Sequence, residues 1–291
     1  MDGTLGGGGH AREICRRIVP GGTLVGLDRD PAAVANAGLK LESPDLSVHL
    51  FNENYAHLAS VLSRLGLAAV DGIVLDLGLS QYQLEASGRG FSFRRDEPLD
   101  MRMNPSDPTT AADLVNRLPE DRLARLFRDY GEERRAKRIA RQIVRRRRQD
   151  AITTTGRLVA AIHAAGVRPA AGRRSAPATR VFMALRIAVN RELEHLGTFM
   201  EEAAADLLRP GGRLCVLAFH SLEDRIVKHR MRDLASGCSC PPDFPVCTCG
   251  KKPQVRVLTP RALRPTEAEI QNNPMARSTR LRVMEKLAVQ A

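Results

Sequence analysis

The chain contains no tryptophan, and aromatic residues make up only 4% of its 291 positions. A surface built from stacked aromatic side chains, as in many single-strand-binding proteins, is therefore disfavoured. Six cysteines are too few for a disulfide-stabilised scaffold, which predicts a reducing, cytoplasmic setting. No apolar run approaches the ~20 residues of a membrane span. No charged-then-apolar signal peptide opens the chain.

Basic residues are in excess. Lysine and arginine total 45 against 33 aspartates and glutamates, which gives a net charge of +12 and a pI near 10.1. An excess of this size usually indicates a polyanionic partner, either nucleic acid or an anionic membrane surface. A generally basic proteome is the alternative, because charge alone does not separate the two.

Short apolar strands alternate with helices through the first 80 residues. The patterns predict helices at 10–19, 31–41 and 58–65, and strands at 23–27, 47–51 and 70–77. Strands and helices that alternate with short connections form a parallel sheet flanked by helices. The sequence therefore predicts an α/β fold.

The alternation stops after residue 78. Residues 79–110 carry scattered glycines and prolines, which predicts a long loop, and 111–165 carry a helical pattern. The remaining predicted segments are a linker at 168–177, a helix over 179–208 bent near Gly197, a strand at 213–219, a helix over 221–234 capped by Ser221, and short segments at 255–258 and 281–287. We therefore predict one α/β domain, formed by 1–106 and 180–291, that is interrupted by a helical domain at 107–179.

A string of glycines at 6–9 precedes the first predicted helix. Because glycine has no Cβ, the backbone of such a loop can approach a bound nucleotide closely. Asp28 ends the next strand about 20 residues on, where a carboxylate can accept hydrogen bonds from ribose hydroxyls. Asp30 competes for this role, but its place before Pro31 fits a helix cap better. A merely flexible loop is the alternative to a nucleotide site.

Asp76 lies at the end of an apolar strand, at the carboxyl edge where open α/β sheets bind ligands. A carboxylate there costs desolvation unless it has partners, so Asp76 is a better site candidate than an ordinary surface acid. A solvated strand-end aspartate is the alternative. Tyr55 and His220 follow other predicted strands, and Gln83 lies in the loop after Asp76.

Residues 134–148 contain nine lysines or arginines and no acid. The apolar members of this stretch fall on one stripe at helical spacing: Ala136, Ile139, Ala140, Ile143 and Val144. Like charges one turn apart destabilise an isolated helix, which favours a partner that neutralises them. A phosphate backbone is the natural candidate, and a solvated helix face is the alternative.

Four cysteines, Cys238, Cys240, Cys247 and Cys249, form two CxC pairs near the C-terminal end. Four thiolates can hold zinc tetrahedrally, but the usual zinc spacing is CxxC, and CxC bends awkwardly around one ion. We therefore predict no bound metal, and a zinc site stays the open alternative.

Several long motifs resemble one known family. They are DGTLGGGGH (2–10), DRDP (28–31), DGIVLDLGLS (71–80), RGFSFRRDEPLDMRM (89–103), DYGEERRAKRIAR (129–141), PATR (177–180), FHSLEDRIVK (219–228) and NPMARSTRLRV (273–283). In these motifs the chain resembles, essentially end to end, the bacterial RsmH/MraW family of S-adenosylmethionine-dependent methyltransferases. The resemblance implies a class I (Rossmann-like) methyltransferase domain with an inserted all-helical substrate-recognition domain.

The resemblance also implies a reaction and its residues. The reaction is methylation of the exocyclic N4 of a cytidine in the decoding centre of 16S rRNA, with S-adenosyl-L-methionine as methyl donor and the small ribosomal subunit or its assembly intermediate as partner. The implied cofactor contacts are Gly8, Gly9, His10, Asp28, Tyr55, Asp76 and Gln83. Candidate groups for drawing protons from N4 are Asp76, Ser80 and His220. Tyr55 stands where the family commonly has phenylalanine, and either ring can stack on adenine.

One departure from the family pattern concerns the start of the chain. Family members carry a strand that leads into the glycine loop, whereas Met1 nearly abuts that loop here. Either the start is truncated or miscalled, or the sheet lacks that strand. Three other functions stay open: a nicotinamide dehydrogenase, a small-molecule methyltransferase and a non-catalytic ribosome-assembly factor. The sequence does not define the oligomeric state, and a homodimer stays an alternative.

Overall fold

A computed structural model describes residues 1–41, 45–166, 177–237, 240 and 249–288, which form two compact units. The sheet unit comprises Met1–Gly78 and Leu193–Ala291, and the helical unit comprises Leu79–Glu192. Most of the predicted linker at 168–177 lies outside the described residues. None of the described helices is long and apolar enough to cross a membrane.

The elements follow one another in a simple order. In chain order they are α1 (Gly9–Ile18), β1 (Thr23–Asp28), α2 (Pro31–Gly38), β2 (Ser47–Asn52), α3 (Leu58–Arg64), β3 (Val70–Asp76), α4 (Gln81–Glu85), α5 (Ala111–Arg117), α6 (Glu120–Asp129), α7 (Ala136–Arg147), α8 (Thr155–Ala164), α9 (Pro177–Asn190), α10 (Glu192–Glu202), β4 (Leu208–Ala218), α11 (Ser221–Ala235), β5 (Val255–Val257), α12 (Glu267–Asn272) and β6 (Arg280–Lys286). The strands therefore lie in the sheet unit, and α4 to α9 lie in the helical unit.

The sheet unit contains two groups of strands. β1 and β2 pair in parallel, and the second group has the order β3-β4-β6-β5, in which β3 and β4 are parallel and β6 is antiparallel to both neighbours. The first residues of the chain join the groups, because Asp2 forms parallel bridges to Gly26 on β1 and to Val74 on β3. Residues 1–3 therefore take the place of the strand that the sequence left in question.

The core of the sheet unit explains why these segments form strands and helices. Leu27, Ile73, Leu75 and Leu214 are fully buried on their strands and pack with Phe199 of α10. Burial of a side chain of this size stabilises the fold by about 1.5–3 kcal/mol. The strands are thus held by side chains that reach the core from both the first and the last part of the sequence.

The helical unit has its own core, and this core explains where the unit begins and ends. The predicted apolar stripe of α7 is confirmed, since Ile139 and Ile143 are fully buried. Phe91 and Met101 from the predicted loop, and Leu185 from α9, pack into the same core. The division after Gly78 and Glu192 therefore differs from the predicted boundaries after 106 and 179, because flanking residues without helical periodicity also contribute to this core.

Three local predictions are wrong. The predicted loop at 79–110 contains the short helix α4. The predicted bend near Gly197 lies instead at Arg191, whose φ of 50° separates α9 from α10. The cap of α11 is His220 rather than Ser221, because the His220 side chain accepts the backbone N–H of Glu223. Both α4 and α11 begin with a local capping box, formed by Ser80 with Gln83 and by His220 with Glu223.

Candidate functional site

The glycine loop connects the start of the chain to α1. Gly6 and Gly8 have φ values of 48° and 79°, a left-handed conformation that glycine adopts without strain. Gly8 is the N-cap residue of α1, and no side chain caps the helix there. A Cβ at Gly7 or Gly9 would have no protein atom within 4 Å. The missing side chains therefore keep the space beside the loop open for a ligand.

Asp28 lies at the end of β1 and is bonded to the glycine loop. Its Oδ2 accepts the backbone N–H of Gly6 at 2.8 Å, and its Oδ1 accepts that of Asp30 at 2.9 Å. Burial raises the pKa of Asp28 to about 6, which these two hydrogen bonds partly oppose. Each oxygen keeps a further lone pair that can accept a hydroxyl. The Asp30 side chain caps α2 by accepting the N–H of Ala32, as predicted.

Asp76 lies at the end of β3 and faces α1. Its Oδ2 is 3.3 Å from Nε2 of His10, and its backbone N–H donates to Thr4 Oγ1 at 2.7 Å. The hydrogen bond to Asp76 raises the pKa of His10. The second carboxylate oxygen of Asp76, Oδ1, is buried without a hydrogen-bond partner. A buried acceptor without a partner is costly, so this oxygen fits a site that receives a donor or a cation.

Asp2 adds a second buried carboxylate to the same region. Its Oδ1 accepts the backbone N–H of Thr4 at 3.0 Å, and its Oδ2 is buried without a partner. Burial raises the pKa of Asp2, and the charge of His10 partly lowers it. Asp2 and Thr4 were not among the predicted site residues. The available signal was Asp2 at the head of the DGTLGGGGH motif, but three residues are too few to show strand periodicity.

Tyr55 lies beside the beginning of the chain. It starts a short 3₁₀ turn, Tyr55–His57, and its ring packs edge-on against Phe199 with centroids 5.8 Å apart. A Cβ on Gly3 would lie 3.3 Å from the Cβ of Tyr55. The half-buried ring is therefore held close to the strand that leads into the glycine loop.

His220 follows β4, the strand next to β3 in the sheet. Its Nδ1 accepts the N–H of Glu223 at 3.4 Å, and Oε2 of Glu223 accepts the N–H of Phe219 at 2.9 Å. In a neutral imidazole, a nitrogen that accepts leaves the other nitrogen protonated. Nε2 is buried within 3.1 Å of Glu223 Oε1 but makes no hydrogen bond. This geometry favours a capping role over proton removal.

Ser80 and Gln83 belong to the helical unit, where they cap α4 together. Ser80 Oγ accepts the N–H of Gln83 at 3.2 Å, and Gln83 Oε1 accepts the N–H of Ser80 at 3.1 Å. The predicted roles of these two residues stay predictions. In the sheet unit, by contrast, the structure brings His10 and Asp76 together and bonds Asp28 to the glycine loop.

Two members of the cysteine cluster, Cys238 and Cys247, lie outside the described residues. The prediction that the cluster holds no metal therefore stays a prediction.

A glycine loop before the first helix, an acid after β1 and a second acid after β3 define a nucleotide-type site at the carboxyl edge of an α/β sheet. Together with the reversed strand β6, this is the arrangement of a class I methyltransferase.

Comparisons with known proteins identify the family. The model of the MraW methylase family matches residues 1–287, and the chain belongs to this family. It is 55% identical over 289 residues to "Ribosomal RNA small subunit methyltransferase H" of Desulfosudis oleivorans. This alignment covers 98% of the present chain and 92% of the relative. Proteins of the same name from Pelobacter propionicus and Heliobacterium modesticaldum are 53% and 51% identical, with 99% of this chain and 92% of each relative covered.

The family establishes the class of enzyme. The protein is a methyltransferase with the class I fold, as the sequence predicted. Enzymes of this family use S-adenosylmethionine in general. The residues that bind it here, and the RNA that is modified, are the subject of the proposal that follows.

Proposed function

We propose that this protein transfers a methyl group from S-adenosylmethionine to the exocyclic N4 of a cytidine in the decoding centre of 16S rRNA, cytosine 1402 in the standard numbering. The relatives support the substrate, because their names describe methyltransferases of the ribosomal RNA small subunit. The observation that carries the chemistry is the buried oxygen of Asp76 without a partner, beside an open glycine loop.

The residues of the sheet unit fit S-adenosylmethionine. Asp28 has lone pairs for the ribose hydroxyls, and no protein atom lies within 4 Å of where a Cβ would be at Gly8 or Gly9. The sulfonium and ammonium groups of the cofactor are cations, which suit the buried carboxylate oxygens of Asp2 and Asp76. Tyr55 provides a ring for the adenine. The backbone of His10 continues the glycine loop as a further contact for the cofactor. Gln83 is included as a cofactor contact only because the family resemblance implies it.

Asp76 is the proposed acceptor in the reaction. The cofactor, when bound, supplies an electrophilic methyl group. The N4 nitrogen of cytosine is a poor nucleophile because its lone pair is delocalised into the ring. A carboxylate that accepts an N4 proton localises this lone pair, and Asp76 Oδ1 has two lone pairs, one for that bond and one that can face the cofactor. His10 holds the other oxygen, Oδ2, at 3.3 Å and so fixes the orientation of the carboxylate.

The helical unit supports an RNA partner. Residues 79–192 contain 24 lysines and arginines and 13 acidic residues, so this unit carries +11 of the chain's net charge of +12. On α7, the buried apolar stripe leaves Arg138, Arg141 and Arg145 exposed at intervals of three or four residues. Arg141 lies 3.5 Å from Glu120 on α6, and the other two have no acidic partner among the described residues. A row of this kind suits a phosphate backbone.

Methyl transfer to small ribosomal subunits that lack the modification tests the proposal. Wild-type enzyme with labelled S-adenosylmethionine should modify one cytidine, located by mass mapping of the rRNA. Asp76→Asn should lower kcat by about a hundredfold or more, the scale of a missing proton acceptor. Asp71→Asn is the matched control, because Asp71 lies on the same strand but is exposed and pairs with Arg209 at the surface. Full activity of Asp76→Asn, or methylation of another base, would contradict the proposal.

Salt dependence separates an RNA substrate from a small-molecule one. Changing Arg138 and Arg145 to glutamine should reduce the slope of log affinity against log salt by about 0.7–0.9 for each phosphate that is no longer neutralised. Affinity for S-adenosylmethionine should not change. An unchanged slope with unchanged methyl transfer would mean that these arginines form only a solvated face.

A further inference from the structure

Two aromatic side chains stand out at the surface of the helical unit. Among the described residues, Tyr82 and Phe93 are the exposed aromatic residues, with 53% and 39% of their surface accessible. Single exposed apolar side chains are ordinary at protein surfaces, so the case for a contact surface depends on how these rings are held and on the charges beside them. Both residues lie in the segment between β3 and α5.

The Phe93 ring is fixed in place. It packs against Phe182 of α9 with centroids 4.9 Å apart and an interplanar angle of 64°, so its edge is supported. The following residues are bonded to the start of α8: Asp96 Oδ1 accepts the N–H of Gly156 at 2.7 Å, and the Thr155 hydroxyl donates to the carbonyl of Arg95 at 2.9 Å. A ring that is already ordered loses little conformational entropy when a ligand binds.

Basic side chains flank the ring. Arg94 and Arg95 are both exposed, and the guanidinium of Arg94 has no hydrogen bond or ion pair among the described residues. Arg95 Nη1 donates to the carbonyl of Glu85 at 3.3 Å. Because Glu85 is the last residue of α4, this bond ties the Phe93 loop to the short helix that carries Tyr82. The two exposed rings and the two cations therefore lie on segments that this hydrogen bond joins.

The scarcity of aromatic residues disfavours an extended stacking surface, but it does not exclude a local one of two rings. We propose that Phe93, together with Tyr82, is such a local stacking platform for unpaired bases of the RNA substrate, and that Arg94 contacts the adjacent phosphate. This inference rests on the proposed rRNA function. Proteins recognise unpaired RNA by stacking bases on aromatic rings beside basic groups, and stacking tolerates any base. A second copy of the chain is a poorer occupant, because each copy would bring the same +11 helical unit to the interface.

Two labelled probes distinguish stacking from charge. One is a single-stranded RNA of about 12 nucleotides, and the other is an abasic strand of the same length and charge. Phe93→Ala should weaken binding of the RNA by about 5- to 150-fold and leave binding of the abasic strand unchanged. Arg94→Gln should weaken both probes. Phe93→Tyr should bind like the wild type, because it keeps the ring.

Further variants separate stacking from folding. Phe93→Leu keeps an apolar contact with Phe182 but removes the aromatic face, so it should lose RNA affinity while its thermal unfolding stays close to that of the wild type. Leu263→Ala, an exposed apolar residue in the sheet unit, should change neither. Sedimentation of wild type and Phe93→Ala tests the competing occupant, and a Phe93-dependent dimer would overturn the inference.

The stacking platform and the proposed function can be refuted separately. If wild type methylates the ribosomal cytidine and Phe93→Leu does so with unchanged KM, the platform is refuted and the proposed function stands. If wild type methylates no rRNA but binds the RNA probe through Phe93, the proposed function is refuted and the platform stands. Equal affinity of wild type for the RNA and the abasic strand would also refute stacking.

Discussion

The affinity of the enzyme for S-adenosylmethionine should fall in weakly acidic solution because Asp28 titrates there. Burial raises the pKa of Asp28 to about 6 in the free protein. Only the ionised carboxylate has all its lone pairs available to ribose hydroxyls and to the N–H groups of Gly6 and Asp30. If the bound state requires the ionised form, protonation competes with the cofactor.

The size of the effect follows from the pKa. Above pH 6 most Asp28 is ionised and affinity is constant, whereas below pH 6 the apparent Kd rises tenfold for each pH unit. Between about pH 7 and about pH 5 the Kd should therefore increase about tenfold, equivalent to about 1.4 kcal/mol. This window also lies below the ordinary pKa of an α-amino group, so the cofactor's own ammonium stays largely protonated throughout.

Isothermal titration calorimetry of S-adenosylmethionine across this range measures the effect. Asp28→Asn should bind more weakly at neutral pH and should lose most of the pH dependence. The hydrogen bond to Asp76 raises the pKa of His10, so protonation of His10 is a second source of pH dependence. His10→Gln therefore serves as the second control and should keep the Asp28 component. An affinity that is flat from pH 7 to pH 5, or equally pH-dependent in Asp28→Asn, would refute the reasoning.

Three further predictions concern residues that stabilise one unit or the other from within. Glu133→Gln should lower the free energy of unfolding by about 3–5 kcal/mol in urea titration, because it removes the buried carboxylate that Arg180 Nε binds at 2.6 Å; a decrease below 1 kcal/mol would contradict this. His220→Ala should cost about 0.5–2 kcal/mol because it removes a helix cap, whereas His220→Asn should restore both stability and methyl transfer if capping is the role of His220. Arg147→Met should destabilise the helical unit by about 1–3 kcal/mol, because the Arg147 guanidinium donates hydrogen bonds to two backbone carbonyls at the end of α5. Arg148→Met is the control and should leave thermal unfolding unchanged.

The parts of the site that the sequence predicted lie at the ends of regular strands. Asp28 and Asp76 each come at the end of a short apolar run. The end of that run predicts the end of the strand, and the direction of the chain predicts that the acid lies at the carboxyl edge of the sheet. The glycines mark the loop because left-handed φ values at Gly6 and Gly8 require them. Local pattern and global fold agree on where these residues lie, whereas their role in binding the cofactor stays a prediction.

The boundary of the helical unit and the burial of Asp2 depend on contacts between distant segments, whereas the cap of α11 depends on a local choice between two neighbouring residues. Phe91 and Met101 have no helical or strand period, yet they are buried in the helical core, which moves the boundary of the unit to Gly78. Serine is the preferred cap residue, but Glu223 binds back to the N–H groups of Phe219 and His220 and shifts the cap of α11 by one position. Asp2 gains its burial only from pairing with β1 and β3.

The distribution of charge reconciles two opposite demands on one enzyme. The sheet unit contains 21 lysines and arginines and 20 acidic residues, a net charge of +1, whereas the helical unit carries +11. A cationic cofactor is disfavoured by a strongly basic surround, and a polyanionic RNA is disfavoured by a cluster of carboxylates such as Asp2, Asp28 and Asp76. On the proposed function, the near-neutral sheet unit suits the cationic cofactor and the basic helical unit suits the RNA. The +12 of the whole chain is therefore a property of the helical unit, and neutralising that unit should weaken RNA binding without altering cofactor affinity.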